Sequence, residues 1–314
     1  MAQVAKKTFW QRLKLDLYRY RYLYLFFALP LLLYYIVFKY VPLYGLQIAF
    51  KDYRITRTIW ECPWVGFEHF QDFFSSIYFF RTLKNTLIIS CLNLVFGFPA
   101  PIIFALLLNE VQNSKFKKIV QTVTYLPHFV STVVICGLIV SFSAKDGLFN
   151  DIIELFGGTR SDLLLSKEAF RPIYIASGIW SGFGWGSIIY LSALSSVDQE
   201  QYEAAYIDGA RRFQRMIYIT LPGILPTIVI KLIMEVGSLM SVGHEKILLL
   251  YSPLTYEVAD VISTYVYRKG LVDNDYSYST AVGLFNSVIN IILLVFTNTV
   301  SRRLTDTSLW QRRK

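Results

Sequence analysis

Six stretches of this sequence are apolar over a length that matches the thickness of a lipid bilayer. They run over residues 22–41, 82–108, 119–142, 172–194, 219–243 and 280–300. A helix needs about 20 mostly apolar residues to cross the hydrocarbon core. Inside the hydrocarbon, backbone groups find no water, so a spanning segment must bond them within its own helix. We therefore predict an all-α integral membrane protein with six transmembrane helices.

The charge content agrees with this prediction. Charged residues make up 17% of the 314 residues, and the mean hydropathy is +0.42. Soluble domains carry about 25% charged residues. A polytopic protein of the lipid bilayer is the class that fits.

The distribution of the net charge of +9 indicates an orientation. With the N-terminus inside, the cytoplasmic segments hold 17 Lys and Arg residues against 7 Asp and Glu, and the outer segments hold 13 against 14. An excess of basic residues on the cytoplasmic side is the positive-inside rule. We predict that both termini are cytoplasmic and that the basic surplus reflects topology, with no nucleic acid as partner.

The chain divides into three parts on this prediction. Residues 1–21 form a basic amphipathic helix on the inner leaflet, 22–303 form the transmembrane domain, and 304–314 form a basic cytoplasmic tail. The basic residues of the two ends are Lys6, Lys7, Arg12, Lys14, Arg19, Arg21, Arg302, Arg303, Arg312, Arg313 and Lys314. We expect no cleaved signal peptide, because the first apolar run begins only near Tyr22.

A charged segment between the fourth and fifth spans reads EAAYIDGARRFQRMIYITLP from Glu203 to Pro222. Ser196 and Gln199 predict a capping box for a helix beginning near Val197. Gly209 permits a turn, and Pro222 suits the first turn of the following helix. We predict a helix, a bend and a second helix that returns to the membrane. An amphipathic segment lying flat at the interface is the alternative.

This segment resembles the EAA loop of ABC-importer permeases, whose spacing EAA-x3-G-x9-I-x-LP it matches at every fixed position. The resemblance extends from about residue 36 to 303. Its segments include FKYVPLYGLQIAFKDY, FGFPAPIIFALLLNEV, FKKIVQTVTYLPHFVS and TYVYRKGL. These look like permeases of polysaccharide and oligosaccharide ABC importers of the LplB type, a group that includes alginate-importer permeases. The resemblance implies the type I importer, MetI-like permease fold.

The resemblance also implies a set of partners in the bacterial cytoplasmic membrane. A second permease completes a heterodimer, two ATPase subunits bind ATP and Mg, and an extracytoplasmic solute-binding protein delivers an oligosaccharide. Residues 197–222 become the coupling loop that contacts an ATPase. Its coupling residues are Glu203, Ala204, Ala205, Asp208, Gly209, Arg211 and Arg212. The chain has no Gly-Lys pair and hence no P-loop, so we expect it to bind no cofactor and to hydrolyse no ATP.

Lys231 and Glu235 lie four residues apart in the fifth span. Ionisable groups in a membrane usually face the bundle interior or a watery cavity. Aromatic faces and amide groups suit a saccharide site. We predict a translocation path lined by Trp180, Trp185, Lys231, Glu235, His244, Asn286 and Asn290. An ion pair that serves packing alone is the alternative for Lys231 and Glu235.

Several functions remain to be weighed against import of an acidic, alginate-like oligosaccharide. These are import of a neutral oligosaccharide, secondary transport, and a membrane enzyme acting on sugars. No catalytic or metal site is predicted, because the cysteines show no CxxC spacing and Leu248 stands where a zinc motif starting at His244 needs histidine. The aromatic outer segment 43–80 fits either an interfacial belt or contact with an external partner.

Overall fold

Helices form nearly all of the regular structure of this chain. The structure, a computed structural model, describes residues 9–305 and 307–309. Within these residues the β-structure consists of one antiparallel bridge between Lys51 and Trp64. The predicted basic residues Lys6, Lys7, Arg312, Arg313 and Lys314 lie outside the described residues.

The N-terminal half holds seven helices among the described residues. They are α1 (Phe9–Arg19), α2 (Arg21–Phe50), α3 (Glu68–Ser75), α4 (Ile77–Asn109), α5 (Ser114–Tyr125), α6 (Thr132–Ser143) and α7 (Leu148–Leu155). The last ten residues of α2 wind as a tighter 3-10 helix, Val41–Phe50. In α4 a wide π-type turn, Asn93–Gly97, precedes Pro99.

The C-terminal half adds seven more within the described residues. They are α8 (Lys167–Leu194), α9 (Gln199–Ile207), α10 (Arg212–Gly237), α11 (His244–Leu250), α12 (Tyr256–Ala259), α13 (Ile262–Tyr267) and α14 (Tyr276–Thr305). Short 3-10 turns, Leu126–Phe129, Leu163–Leu165 and Pro253–Thr255, lie between them.

Five helical stretches are long and apolar enough to cross a membrane. They are Arg21–Phe50, Ile77–Asn109, Thr132–Leu155, Arg212–Gly237 and Tyr276–Arg303. The predicted fourth span, 172–194, lies in α8. At 28 residues α8 is about 42 Å long, enough to cross, but its glycines, serines and tryptophans make it less apolar than the five. The predicted all-helical membrane class is confirmed.

The predicted third span, 119–142, is not one helix. Instead α5 ends at Tyr125, a 3-10 turn carries Pro127, and α6 begins at Thr132. Proline lacks the N–H that would continue a helix. The Ser131 hydroxyl then accepts a hydrogen bond from the backbone N–H of Val134 at 3.4 Å and caps the new helix.

Helices α4, α8 and α10 pack together beside the predicted coupling loop. Their contact is a buried cluster of Ile102, Ala105, Tyr190, Leu194, Val197 and Ile224. Gly186 of α8 faces α4, where an added Cβ would lie 3.2 Å from Pro101. The tightest approach is at Gly184, where an added Cβ would lie 2.2 Å from the backbone oxygen of Thr124 in α5.

The aromatic residues of the segment 43–80 divide between two environments. Phe73 is fully buried and packs against Tyr265 and Tyr278 of the C-terminal half. Trp60 and Phe67 are exposed. Burial accounts for the first group, while the exposed group still fits either an interfacial belt or an external partner.

Candidate functional site

Helix α9 occupies the region predicted to be the coupling loop. It begins after Asp198, whose Oδ1 accepts a hydrogen bond from the backbone N–H of Glu200 at 3.0 Å. The predicted capping box of Ser196 and Gln199 is therefore wrong. Ser196 instead closes the end of α8, because its hydroxyl donates to the carbonyl oxygen of Ala193 at 2.7 Å.

Gly209 ends α9 with a φ of 76°. The N–H of Gly209 donates to the carbonyl oxygen of Tyr206 at 3.1 Å, and the N–H of Ala210 donates to that of Ala205 at 2.9 Å. This pair of bonds is the Schellman motif, in which a residue without Cβ adopts the left-handed conformation at little cost. The turn predicted at Gly209 is present.

The second helix of the loop differs from the prediction for Pro222. This residue lies inside α10, which runs without a break from Arg212 to Gly237. A π-type turn, Met216–Thr220, comes directly before it, closed by a bond from the N–H of Leu221 to the carbonyl of Met216. Proline removes one helical donor, and the wide turn accommodates that loss, so the helix continues into the membrane.

Two contacts attach α9 and the residues just before it to α10. The Tyr202 hydroxyl donates to Thr220 Oγ1 at 2.9 Å. Buried Val197 lies against Gly223, where an added Cβ would be 2.9 Å from a methyl carbon of Val197. The loop and the start of α10 therefore contact each other at two points.

The predicted coupling residues lie at the surface of this loop. Exposed are Glu203, Ala204, Asp208, Gly209, Arg211 and Arg212, and Ala205 is half-buried. Three large apolar side chains beside them are also exposed, Tyr206 by 71%, Ile207 by 84% and Phe213 by 66%. Contiguous exposed apolar surface next to charge is typical of a protein–protein interface.

Two adjoining cavities lie among α4, α8, α10 and the turn that follows α10. Their volumes are about 320 Å³ and 190 Å³. Asn93, Gly178 and Glu235 line both cavities. The polar groups of the larger one are Ser90, Asn93, Tyr174, Glu235, Ser238, Ser241 and Lys246. Hydroxyl, amide and charged groups around one cavity can bind a hydroxyl-rich ligand.

Lys231 and Glu235 both open onto the smaller cavity. Lys231 Nζ lies 3.4 Å from Glu235 Oε1, and the two side chains are 30% and 43% exposed. The ion pair is therefore present, and both of its side chains line a cavity.

Asn286 and Asn290 hold the turn that ends α10. Asn290 Oδ1 accepts from the N–H of Met240 at 2.9 Å, and its amide donates to Ser241 Oγ at 2.8 Å. The Asn286 amide donates to the carbonyl oxygen of Met240 at 3.1 Å. The fifth span, predicted to reach residue 243, thus ends at Gly237, because side chains of α14 satisfy the backbone groups of the turn.

Three other predicted path residues lie away from the two adjoining cavities. Trp180 lines an apolar groove with Leu138 and Phe142. Trp185 stacks on His128, with ring centres 4.6 Å apart and planes 5° from parallel. His244 stacks on Tyr267 at 5.5 Å and lines a third cavity of about 440 Å³ together with Asn286.

Sequence reasoning missed Lys246. Its Nζ donates to the carbonyl oxygen of Tyr174 at 2.8 Å and lies 4.5 Å from the centre of the Tyr174 ring. Burial lowers the pKa of Lys246 to about 8. Hydropathy placed this residue in an outer segment, and its distance in sequence from Tyr174 hid the contact.

The described residues hold no group of three or more His, Cys, Asp or Glu side chains close enough to bind a metal ion. Cys62 and Cys136 are buried, and Cys91 is exposed. Nothing in this part of the chain assigns a metal to the cavities or to the loop.

The sequence of this chain is similar to those of known transport proteins. A family model described as "binding-protein-dependent transport system inner membrane component" matches residues 97–306. Protein LplB of Bacillus subtilis strain 168 is 47% identical over 283 residues, 90% of this chain and 89% of that protein. The polygalacturonan/rhamnogalacturonan transport system permease protein YteP of the same strain is 44% identical, over 90% of this chain and 88% of its own.

Two crystal structures of bacterial alginate ABC transporters contain a similar chain. The chains are 46% and 45% identical to this one, each with a TM-score of 0.86. They cover 94% and 95% of this chain and 99% and 100% of their own. One transporter is described as importing the acidic polysaccharide alginate, and the other is in complex with an alginate pentasaccharide-bound periplasmic protein. The resemblance predicted from the sequence is therefore confirmed.

Proposed function

The chain belongs to the family of binding-protein-dependent transport system inner membrane components, and from this premise we propose that it is the permease subunit of an ATP-driven saccharide importer. It forms part of the membrane path, and separate subunits bind and hydrolyse ATP with Mg. The loop of α9, Gly209 and α10 carries the proposal, because it joins an exposed, charged helix to a membrane span.

The coupling step follows from how the loop is attached. An ATPase subunit that closes on ATP would displace α9 through contacts with Glu203 and the exposed side chains around it. Because Tyr202 of α9 and Val197, just before α9, both contact α10, the displacement passes to the span as a rigid-body movement. Movement of α10 changes the cavity that Glu235 lines.

The proposed topology has six spans with both termini in the cytoplasm. Helix α8, the fourth span in chain order, completes the six and connects through Ser195–Asp198 to the coupling helix α9. The surplus of basic residues on that side supports this orientation. It places the coupling loop and the ATPase on the same side of the bacterial inner membrane.

A second permease is proposed as partner because of the first span. In the most apolar 18-residue window of α2 no residue is buried within the described chain. The C-terminal part of α2, Val41–Phe50, packs on α14, whereas the surface of this window is left exposed and is available to another subunit or to lipid. The heterodimer takes up this surface, and the extracytoplasmic binding protein docks on the outer side.

The proposed substrate is an oligosaccharide or polysaccharide. YteP is named for polygalacturonan and rhamnogalacturonan, and the structural neighbours are named for alginate. The polar lining of the cavity near Asn93 and Ser241 offers hydrogen bonds to sugar hydroxyls.

The test uses the complete transporter in proteoliposomes: this chain, its partner permease, the ATPase subunits and the binding protein. ATPase activity is measured with and without binding protein loaded from a panel of neutral and acidic oligosaccharides. We expect one sugar class to stimulate ATPase activity. Glu203→Lys should lower that stimulation by about tenfold or more, because it places like charges at the ATPase contact.

Gly209→Ala belongs to the same test, since alanine is strained at a φ of 76°. Both variants should copurify with their partners as the parent chain does. Glu110→Lys, which reverses a charge in the other cytoplasmic loop, is the matched control and should keep the stimulation. Full stimulation in a Glu203→Lys, Gly209→Ala double variant contradicts the coupling role. Uptake driven by an ion gradient without any ATPase replaces the proposal with a secondary transporter.

A further inference from the structure

Lys246 brings a positive charge to the cavity of about 320 Å³ that Asn93 and Glu235 also line. It is the third residue of α11, and its half-buried side chain reaches from that helix to α8. The ammonium donates one hydrogen bond, to the backbone carbonyl of Tyr174. An ammonium has three donors, so two remain beyond this one.

The charge of Lys246 has no carboxylate partner within 4.0 Å among the described residues. Glu235, the carboxylate that lines the same cavity, lies beside Lys231 instead. Buried Asp260, in contrast, has arginine partners on two sides. Placing a charge in a cavity without its counterion is costly, and burial is reflected in the pKa of about 8. Lys246 nevertheless remains mostly protonated at neutral pH.

We propose that Lys246 binds a carboxylate of a uronate-containing oligosaccharide in this cavity and thereby selects acidic over neutral sugars. The inference rests on the proposed function and adds the chemical class of the substrate. The ammonium supplies the charge, while Ser90, Asn93 and Ser241 offer hydrogen bonds to ring hydroxyls. The naming of one structural neighbour for an acidic polysaccharide agrees with this class.

The experiment measures uptake by the complete transporter in ATP-loaded proteoliposomes. The probes are a galacturonate or mannuronate tetrasaccharide and the same tetrasaccharide with its carboxyl groups reduced to alcohols. Lys246→Gln keeps a donor for the Tyr174 carbonyl and removes the charge. It should lower uptake of the acidic probe by about tenfold or more. Uptake of the reduced probe should change less than about twofold.

Lys246→Arg separates charge from packing because it keeps the positive charge. It should retain uptake of the acidic probe within about threefold of the parent chain. If Lys246 only bonded the carbonyl of Tyr174, the arginine and glutamine variants would behave alike. Lys269→Gln is the matched control, since Lys269 already pairs with Asp273 at 2.8 Å outside the cavity. It should leave both probes unaffected.

Three results overturn the inference. They are unchanged acidic uptake in Lys246→Gln, equal losses in the glutamine and arginine variants, and equal losses of both probes. A parent transporter that imports only reduced sugars remains a saccharide importer, and only the role of Lys246 falls. A parent transporter that imports no sugar removes the proposed function and this inference together.

Discussion

At the scale of single residues, the most buried charge in the described chain is that of Asp260. Its side chain is fully buried between α12 and α13. Arg81 and Arg268 donate to it at 3.1 Å and 2.8 Å, and the Thr264 hydroxyl donates at 2.8 Å. Asn85 donates to the Asp260 backbone carbonyl. Through Arg81 and Asn85, these bonds attach the segment that joins α12 to α13 to α4.

Asp260→Asn should destabilise the protein strongly. The substitution removes the negative charge that two arginines share, and breaking a buried ion pair costs about 3–5 kcal/mol. Partial exposure of both arginines brings the expected loss to the lower end, about 3 kcal/mol. Thermal unfolding in detergent measures it as a lower melting temperature.

Asp273→Asn is the control for this prediction. Asp273 pairs with Lys269, but the side chains are 44% and 35% exposed to solvent. Exposed pairs contribute about 0–1 kcal/mol, so the melting temperature should change little. Equal melting temperatures for the two variants would mean that the Asp260 contacts contribute nothing special to stability.

At the scale of helices, close approach between α5 and α8 depends on Gly184. The space there is filled by the backbone oxygen of Thr124, which a Cβ would meet at 2.2 Å. Membrane helices gain no hydrophobic free energy by leaving lipid, so small residues that allow backbone contact drive their association. The 3-10 turn after α5 also contacts α8 here, through His128 and Trp185.

Gly184→Ala should therefore lower stability by about 1–3 kcal/mol, because the two helices must separate or bend to admit the methyl group. Gly182→Ala is the matched control two residues away, where an added Cβ meets nothing within 4 Å. The control should be neutral or slightly stabilising, since alanine favours helix. Melting temperatures of both variants in the same detergent measure the difference. A Gly184→Ala protein as stable as the control contradicts the close contact.

At the scale of the whole molecule, large apolar side chains cover much of the outside, and the inside holds buried polar groups beside apolar clusters. Ser90, Asn85 and Thr86 of α4 are buried. Leu32, Phe38 and many other large apolar residues of the spans are exposed. An apolar outside of this extent is costly in water and suits a chain whose solvent is lipid.

The proposed orientation predicts opposite labelling of two sites. Ile55 lies in the outer segment and is 72% exposed, and Tyr206 lies on the coupling helix and is 71% exposed. In a chain without native cysteines, Ile55→Cys should react with a membrane-impermeant maleimide in intact spheroplasts, and Tyr206→Cys should react only after lysis. Their near-equal exposure makes them controls for each other. Labelling of Tyr206→Cys from outside reverses the topology and removes the coupling role of α9.

The properties that the sequence determined by itself are those that act locally along the chain. Hydropathy over about 20 residues predicted four of the five helical stretches directly and located α8, whereas the predicted third span, 119–142, overlaps Thr132–Leu155 only at its C-terminal end. The EAA spacing located the proposed coupling loop, and Gly209 predicted its turn because only a residue without Cβ adopts that φ cheaply. Helix ends were less accurate, because the actual caps at Asp198 and Ser131 competed with neighbouring candidates.

The tertiary structure alone decided which side chains meet around the cavity. Lys246 and Tyr174 are 72 positions apart, and Asn290 and Met240 are 50 apart. Polar residues in spans predict a need for partners but do not identify them, since the partner depends on how helices rotate and cross. For the same reason Trp180 and Trp185, which suit a sugar site by composition, lie elsewhere, while Lys246 reaches the cavity from a segment that hydropathy placed outside the membrane.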